Sequence, residues 1–190
     1  MGLAMENYKV VILCGGMGTR LKEETEFRPK PLVHIGAFPI LWDILKHYSY
    51  YGFNDFVLCL GYKGEMIKEH FLNYRAMNND FTMHLGDKKQ IEYHDASDEH
   101  DFNVTLADTG QNVMTGARLH MIKKYLTDDT FMVTYGDGLC DVDLDELLKF
   151  HKAHGKIATV TSVRTVSRFG ILNVNEDGLV EDFSEKPDVD

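Results

Sequence analysis

Val10 to Leu21 reads VVILCGGMGTRL, and this stretch limits the possible folds of the chain more than any other. Lys9–Cys14 is a run too short for a helix and rich in valine and isoleucine. Such runs suit parallel strands buried on both faces. The glycines that follow at once demand a tight turn at the strand's carboxyl end, where open α/β sheets bind their ligands.

The remainder alternates in the same way. PILWDILKHYSYYG has Pro39 at a helix start and Gly52 just past its end, with Ile40, Leu41, Ile44, Leu45 and Tyr48 on one face. Asp55–Leu60 reads as a strand and Gly64 to about Tyr74 as a helix. Phe81–Leu85, Gln90–Tyr93 and Asn103–Ala107 read as strands. Met114–Leu126 reads as a helix with an apolar side of Met114, Ala117, Met121 and Tyr125. Phe131–Gly138, FMVTYGDG, is another buried strand ending in a turn. Asp143 and Glu146 form a capping box for a helix reaching His154. Strands are expected at Ile157–Val163, Gly170–Val174 and Leu179–Phe183. The pattern predicts an α/β fold: a Rossmann-like, doubly wound, mixed but mostly parallel sheet flanked by helices.

Composition narrows the function. A net charge of -10 over 190 residues argues against an electrostatic grip on nucleic acid, which needs basic faces. No apolar run reaches the roughly 18 residues of a membrane helix, and the first residues lack the basic and apolar regions of a secretion signal. A cytoplasmic protein is expected. Cys14, Cys59 and Cys140 are odd in number and widely spaced, as buried thiols in a reducing compartment would be.

Three motifs carry chemistry. The loop Gly15, Gly16, Gly18, Thr19, Arg20 lacks the third glycine of a dinucleotide fingerprint, having Leu21 there, and lacks the lysine of a Walker A loop. A backbone-amide cradle with an arginine at its rim remains. In RPKPLVHIG, Pro29 and Pro31 stiffen the chain around Lys30 and bias Arg28 and Lys30 to extended conformations. In YGDG, Asp137 ends a strand between two glycines, as a ligand for nucleotide-bound magnesium would. Each motif alone also reads as an ordinary turn or solvated loop. The cluster His94, Asp95, His100 and Asp101 fits no metal spacing, and His151 and His154 are expected on a helix surface.

In order, LCGGMGTRL, RPKP, GAFPILW, MTGARL, YGDG and EKP resemble the sugar-phosphate nucleotidylyltransferase family. PLVHIGAFPILWDILKHYSYYGFNDF, GYKGEMIKEHF and NVTLADTG are similar to its glucose-1-phosphate cytidylyltransferase branch. The likeness runs from about Tyr8 to Asp190. It implies a reaction in which a glucose 1-phosphate oxygen attacks the α-phosphorus of CTP and pyrophosphate leaves, with Mg²⁺ as cofactor. Another base, dTTP or UTP, stays open, as does a nucleotide-sugar-binding module without activity.

Position by position, the resemblance implies that Leu13, Cys14, Gly15, Gly16 and Gly18 line the nucleotide, while Thr19 and Arg20 hold the triphosphate. Lys30 corresponds to the lysine on the reacting phosphates and Asp137 to a magnesium ligand. Arg118 corresponds to a base-side or substrate-binding arginine, and Gly136 touches the nucleotide. Gly170, Glu185 and Lys186 correspond to sugar-side positions. Cys14 replaces the family's usual alanine, and Ala117 a glycine. Family members continue past EKP with a second aspartate ligand, so a single nucleotidyltransferase domain without that part is expected. A homo-oligomer is also implied.

Overall fold

The computed structural model describes residues 8–16, 27–86, 90–94, 101–126, 130–163, 165–166, 171–176, 178–184 and 188–189. The chain forms two compact units, Met1–Leu144 and Asp145–Asp190.

The first unit is built on four parallel strands in the order β7-β4-β1-β8. These are β1 (Val10–Cys14), β4 (Asp55–Leu60), β7 (Asn103–Asp108) and β8 (Met132–Tyr135). All five residues of β1 are buried, because β1 pairs on both sides: Leu13 stands beside Cys59 on β4 and beside Tyr135 on β8. The continuous apolar run of the sequence is therefore a central parallel strand. β8, expected to be as buried, alternates between half-buried and exposed residues, since among the described residues it stands at one edge of the sheet.

Between these strands lie a 3-10 turn at Lys30–Leu32, the two-residue strands β2 (His34–Ile35) and β3 (Phe38–Pro39), and helix α1 (Ile40–Tyr50). Pro39 precedes the first turn of α1, and Ile40, Leu41, Ile44, Leu45 and Tyr48 are buried as the spacing requires. Trp42 is buried too, stacked on Tyr74 at 4.5 Å and edge-on to Phe102 at 5.4 Å. The helical stretch after β4 is two helices, α2 (Gly64–Leu72) and α3 (Tyr74–Asn78), with Asn73 between them. β5 (Phe81–His84) and β6 (Gln90–Tyr93) form an antiparallel hairpin apart from the main sheet.

Met114–Leu126 is not one helix. It is α4 (Thr115–Met121) followed by a 3-10 turn at Lys123–Tyr125. Its inward side also differs from the expected one: Met114 and Met121 are exposed, whereas Arg118 and Ile122 are buried. Ile122 packs with Val11, Leu13, Val57, Cys59 and Ala107, joined by Leu119, Tyr125 and Leu126. An arginine on the inner face hid the true stripe from a count of apolar positions.

The second unit begins within α5 (Leu144–His154). β9 (Thr165–Val166) pairs antiparallel with β12 (Asp188–Val189), and β10 (Ile171–Val174) with β11 (Val180–Ser184). The expected strand Ile157–Val163 does not form. Ile157, Val160 and Val163 stand exposed and pair with no strand among the described residues. β-branched content gives strand propensity but no partner.

Candidate functional site

The parallel register sets the site. Because Leu13 and Tyr135 are neighbours, the turns after β1 and β8 leave the sheet side by side. Gly136 N–H donates to the Leu13 carbonyl at 3.0 Å and extends that pairing by one step. A cleft of about 520 Å³ opens at these strand ends, within the size range of small-molecule sites.

Leu13, Gly15, Gly16, Lys30, Arg118 and Asp137, all singled out in the sequence, line this cleft. Cys14 does not. It is buried behind the wall, where a Cβ on Gly136 would come within 2.8 Å of its sulfur and 3.0 Å of Pro31 Cγ. Glycine at 136 thus lets the Asp137 turn press against both β1 and the proline turn. Burial, reinforced by Cys59 and Asp137 nearby, pushes the Cys14 thiol far up, so it stays protonated and inert. Cys140, expected to be buried, is exposed. Gly18, Thr19, Arg20, Gly170, Glu185 and Lys186 lie outside the described residues.

Lys30 reaches the cleft differently from its expected extended conformation. It opens the 3-10 turn, in which Leu32 N–H donates to the Pro29 carbonyl at 2.9 Å and Val33 N–H to the Lys30 carbonyl at 3.0 Å. Pro31 and Leu32 are buried and anchor the turn. From there Lys30 Nζ donates to Asp137 Oδ2 at 2.9 Å. The two charges meet across the chain at the carboxyl edge of the sheet.

Arg118, from α4, is only 5% exposed. Its Nη1 donates to the Leu60 carbonyl at 3.1 Å and to Thr109 Oγ1 at 2.6 Å. Its Nη2 donates to the carbonyls of Gly15 at 3.3 Å and Gln111 at 3.2 Å. The Thr109 hydroxyl in turn donates to the Leu60 carbonyl at 2.7 Å. One guanidinium therefore ties together the ends of β1, β4 and β7 through neutral oxygens. Its charge lies beneath the cleft floor, where it favours an anion above.

Sequence reasoning missed Gln111, Asn112 and Val113, and gave Met114, Thr115 and Tyr135 no role of their own in the cleft. No residue type or spacing in 111–115 signals chemistry; only the approach of the loop after β7 to β1 brings this wall in. Elsewhere, His94 Nε2 shares a hydrogen bond with Thr82 at 2.8 Å, while 95–100 lie outside the described residues. His151 and His154, half-buried rather than on the surface, flank the Thr159 hydroxyl at 2.9 and 2.7 Å. Among the described residues no group of three or more His, Cys, Asp or Glu could hold a metal by itself. Asp137 is the one carboxylate among the described cleft residues. A lone carboxylate suits a hard cation whose other ligands are phosphate oxygens and water.

Residues 9–190 match the family described as nucleotidyl transferase. The chain belongs to that family. This nucleotidyl transferase is 49% identical over 180 residues to glucose-1-phosphate cytidylyltransferase of Salmonella typhimurium, a match covering 94% of this chain and 69% of that one. It is 47% identical over 182 residues to a probable glucose-1-phosphate cytidylyltransferase of Bacillus subtilis, covering 96% and 70%. It is similar in structure to HddC from Yersinia pseudotuberculosis complexed with GMP-PN, with a TM-score of 0.58 and 25% identity over 94% of this chain and 69% of that one. The parallel sheet with flanking helices is thus the fold of a known nucleotidyl transferase architecture.

Proposed function

We propose that the protein transfers a cytidylyl group from CTP to α-D-glucose 1-phosphate, giving CDP-glucose and pyrophosphate. A phosphate oxygen of the sugar phosphate forms a bond to the α-phosphorus of CTP. The bond from that phosphorus to the bridging oxygen breaks, and the pyrophosphate carries the electron pair away. Such transfers need little covalent help; they need positioning and charge neutralisation. The observation that carries this reading is the Lys30–Asp137 pair, held at 2.9 Å beside the Gly15–Gly16 turn in one cleft.

In this reading the amides of Gly15 and Gly16 cradle phosphate oxygens and Lys30 neutralises charge building on the reacting phosphates. Asp137 holds Mg²⁺, which when bound shields the triphosphate and stabilises the leaving pyrophosphate. Arg118 fixes the cradle from below, and Leu13 and the 111–115 wall enclose the nucleoside. Gly18, Thr19 and Arg20 complete the triphosphate grip, while Gly170, Glu185 and Lys186 hold the sugar. The enzyme works as a single nucleotidyltransferase domain assembled into a cytoplasmic homo-oligomer, in nucleotide-sugar synthesis. Among the described residues, no helix is long and apolar enough to cross a membrane.

The test is pyrophosphate release with glucose 1-phosphate, Mg²⁺ and each of CTP, UTP, dTTP, ATP and GTP. Release with CTP alone is expected. Release with another nucleotide overturns the base assignment, and silence with all five in a chain that binds CTP overturns the enzyme.

A further inference from the structure

The cation against Asp137 is a side chain of the protein itself. Lys30 Nζ sits 2.9 Å from Asp137 Oδ2, in direct contact with the carboxylate. A divalent ion on the same carboxylate would stand within a few ångström of the ammonium, where repulsion is strong even near a surface. The lysine cannot leave simply by moving its backbone: Pro31 and Leu32 are buried, and Pro31 packs against Gly136, the residue before Asp137. Arg118, the other described cation lining the cleft, has its guanidinium committed to four oxygens and offers no substitute.

We infer that Lys30 acts as an exchangeable counter-ion for Asp137, so that a divalent cation binds there only together with a nucleotide. This rests on the nucleotidyl transfer reading given above. A triphosphate offers Lys30 a new anionic partner, and the ammonium moves to it. The Asp137 carboxylate would then be free to hold the cation that arrives with the phosphates. The pair is 24% and 38% exposed on its two sides, and ion pairs so exposed are weak in net terms. The lock therefore opens easily to a triphosphate while still opposing a bare metal ion. The consequence is an order of assembly in which the cleft does not fill with metal first.

The experiment measures Mn²⁺ binding by electron paramagnetic resonance on the whole chain, with and without CTP and without sugar phosphate. Wild type, Lys30→Met, Lys30→Gln, Asp137→Asn and Lys30→Met/Asp137→Asn are compared, each checked for native circular dichroism. Without CTP, both Lys30 variants are expected to bind Mn²⁺ about fivefold tighter than wild type. The gain should vanish in the double variant. Equal affinity in wild type and whichever Lys30 variant folds, or a gain that persists without the Asp137 carboxylate, overturns the inference. The reading beneath it fails separately: CTP would then recruit no Mn²⁺ to wild type, or would recruit it equally to Asp137→Asn.

Discussion

Arg118 Nη2 donates to the carbonyl oxygen of Gly15 across 3.3 Å, joining positions 103 apart in the sequence. A helix residue thus fixes the first glycine of the phosphate turn, and a Cβ on Gly15 would collide with that guanidinium. Arg118→Met leaves the carbonyls of Gly15 and Gln111 and the Thr109 hydroxyl short of a donor, while the Leu60 carbonyl keeps the Thr109 N–H and hydroxyl. Charged hydrogen bonds of this kind contribute about 1.5–3 kcal/mol each, with losses that do not add. The variant is expected to lose about 3 kcal/mol of stability in urea titration, and Gly15→Ala to weaken CTP binding by displacing the guanidinium. A fully stable Arg118→Met would show that the strand ends hold themselves.

Lys30→Ala tests the charge on the reacting phosphates. It should lower kcat by about 10²–10³, or about 3–4 kcal/mol, as loss of a preorganised donor does. An unchanged turnover number removes Lys30 from the mechanism.

Asp137→Asn keeps the size of the side chain and removes its charge. Divalent-dependent turnover should disappear while circular dichroism stays native, because the residue is exposed and its loss leaves no buried gap. Full activity at ordinary magnesium would refute the metal assignment.

Gly136→Ala places a methyl group against Cys14 Sγ and Pro31 Cγ, both at 3.0 Å or less. Overpacking of this kind costs about 1–3 kcal/mol and tilts the Asp137 turn. Cys14→Ala removes the nearer obstacle, so the double variant should recover part of the loss. Strict additivity in the double-mutant cycle would mean that the two sites do not touch.

Stability should also fall in alkali. Burial pushes the Cys59 thiol up to about 11, with Arg118 drawing it partly back. Cys14 and Tyr48 are raised too, each mainly by burial. The folded chain holds these protons more tightly than the unfolded chain. Their contribution is therefore complete below the ordinary thiol range; the share of Cys59 is lost as pH rises through 9 toward 11, while those of Tyr48 and Cys14 are lost above their own ordinary values. His70 shifts the other way, lowered by burial and then by His34, so its share is lost on the acid side. Urea midpoints measured between pH 7 and 11 should drop above 9, less steeply in Cys59→Ala. A flat profile would refute the assignment.

How much of this was legible in the sequence depended on where each partner lay. β1 was readable because five consecutive buried residues need both neighbours, and the run itself says so. Gly15, Gly16, Lys30 and Asp137 were readable because they carry charge or permit close approach at strand ends. The role of Arg118 as a tie beneath the floor was not, since its acceptors are backbone carbonyls and carbonyls have no letter in a sequence. The inner face of α4 was misread for the same reason: a buried arginine looks like a surface one. Residues 157–163 were misread because apolar, branched residues state a preference, while a strand also needs an edge to join.

The parallel sheet has a consequence for the chain's birth. Gly15 must wait for Arg118, 103 positions later, and Lys30 for Asp137, 107 positions later. On a ribosome adding about 5–20 residues per second, that is several seconds at least. Throughout that interval β1 has emerged with its β8 edge unpaired. The phosphate turn acquires its shape only near the end of the first unit's synthesis.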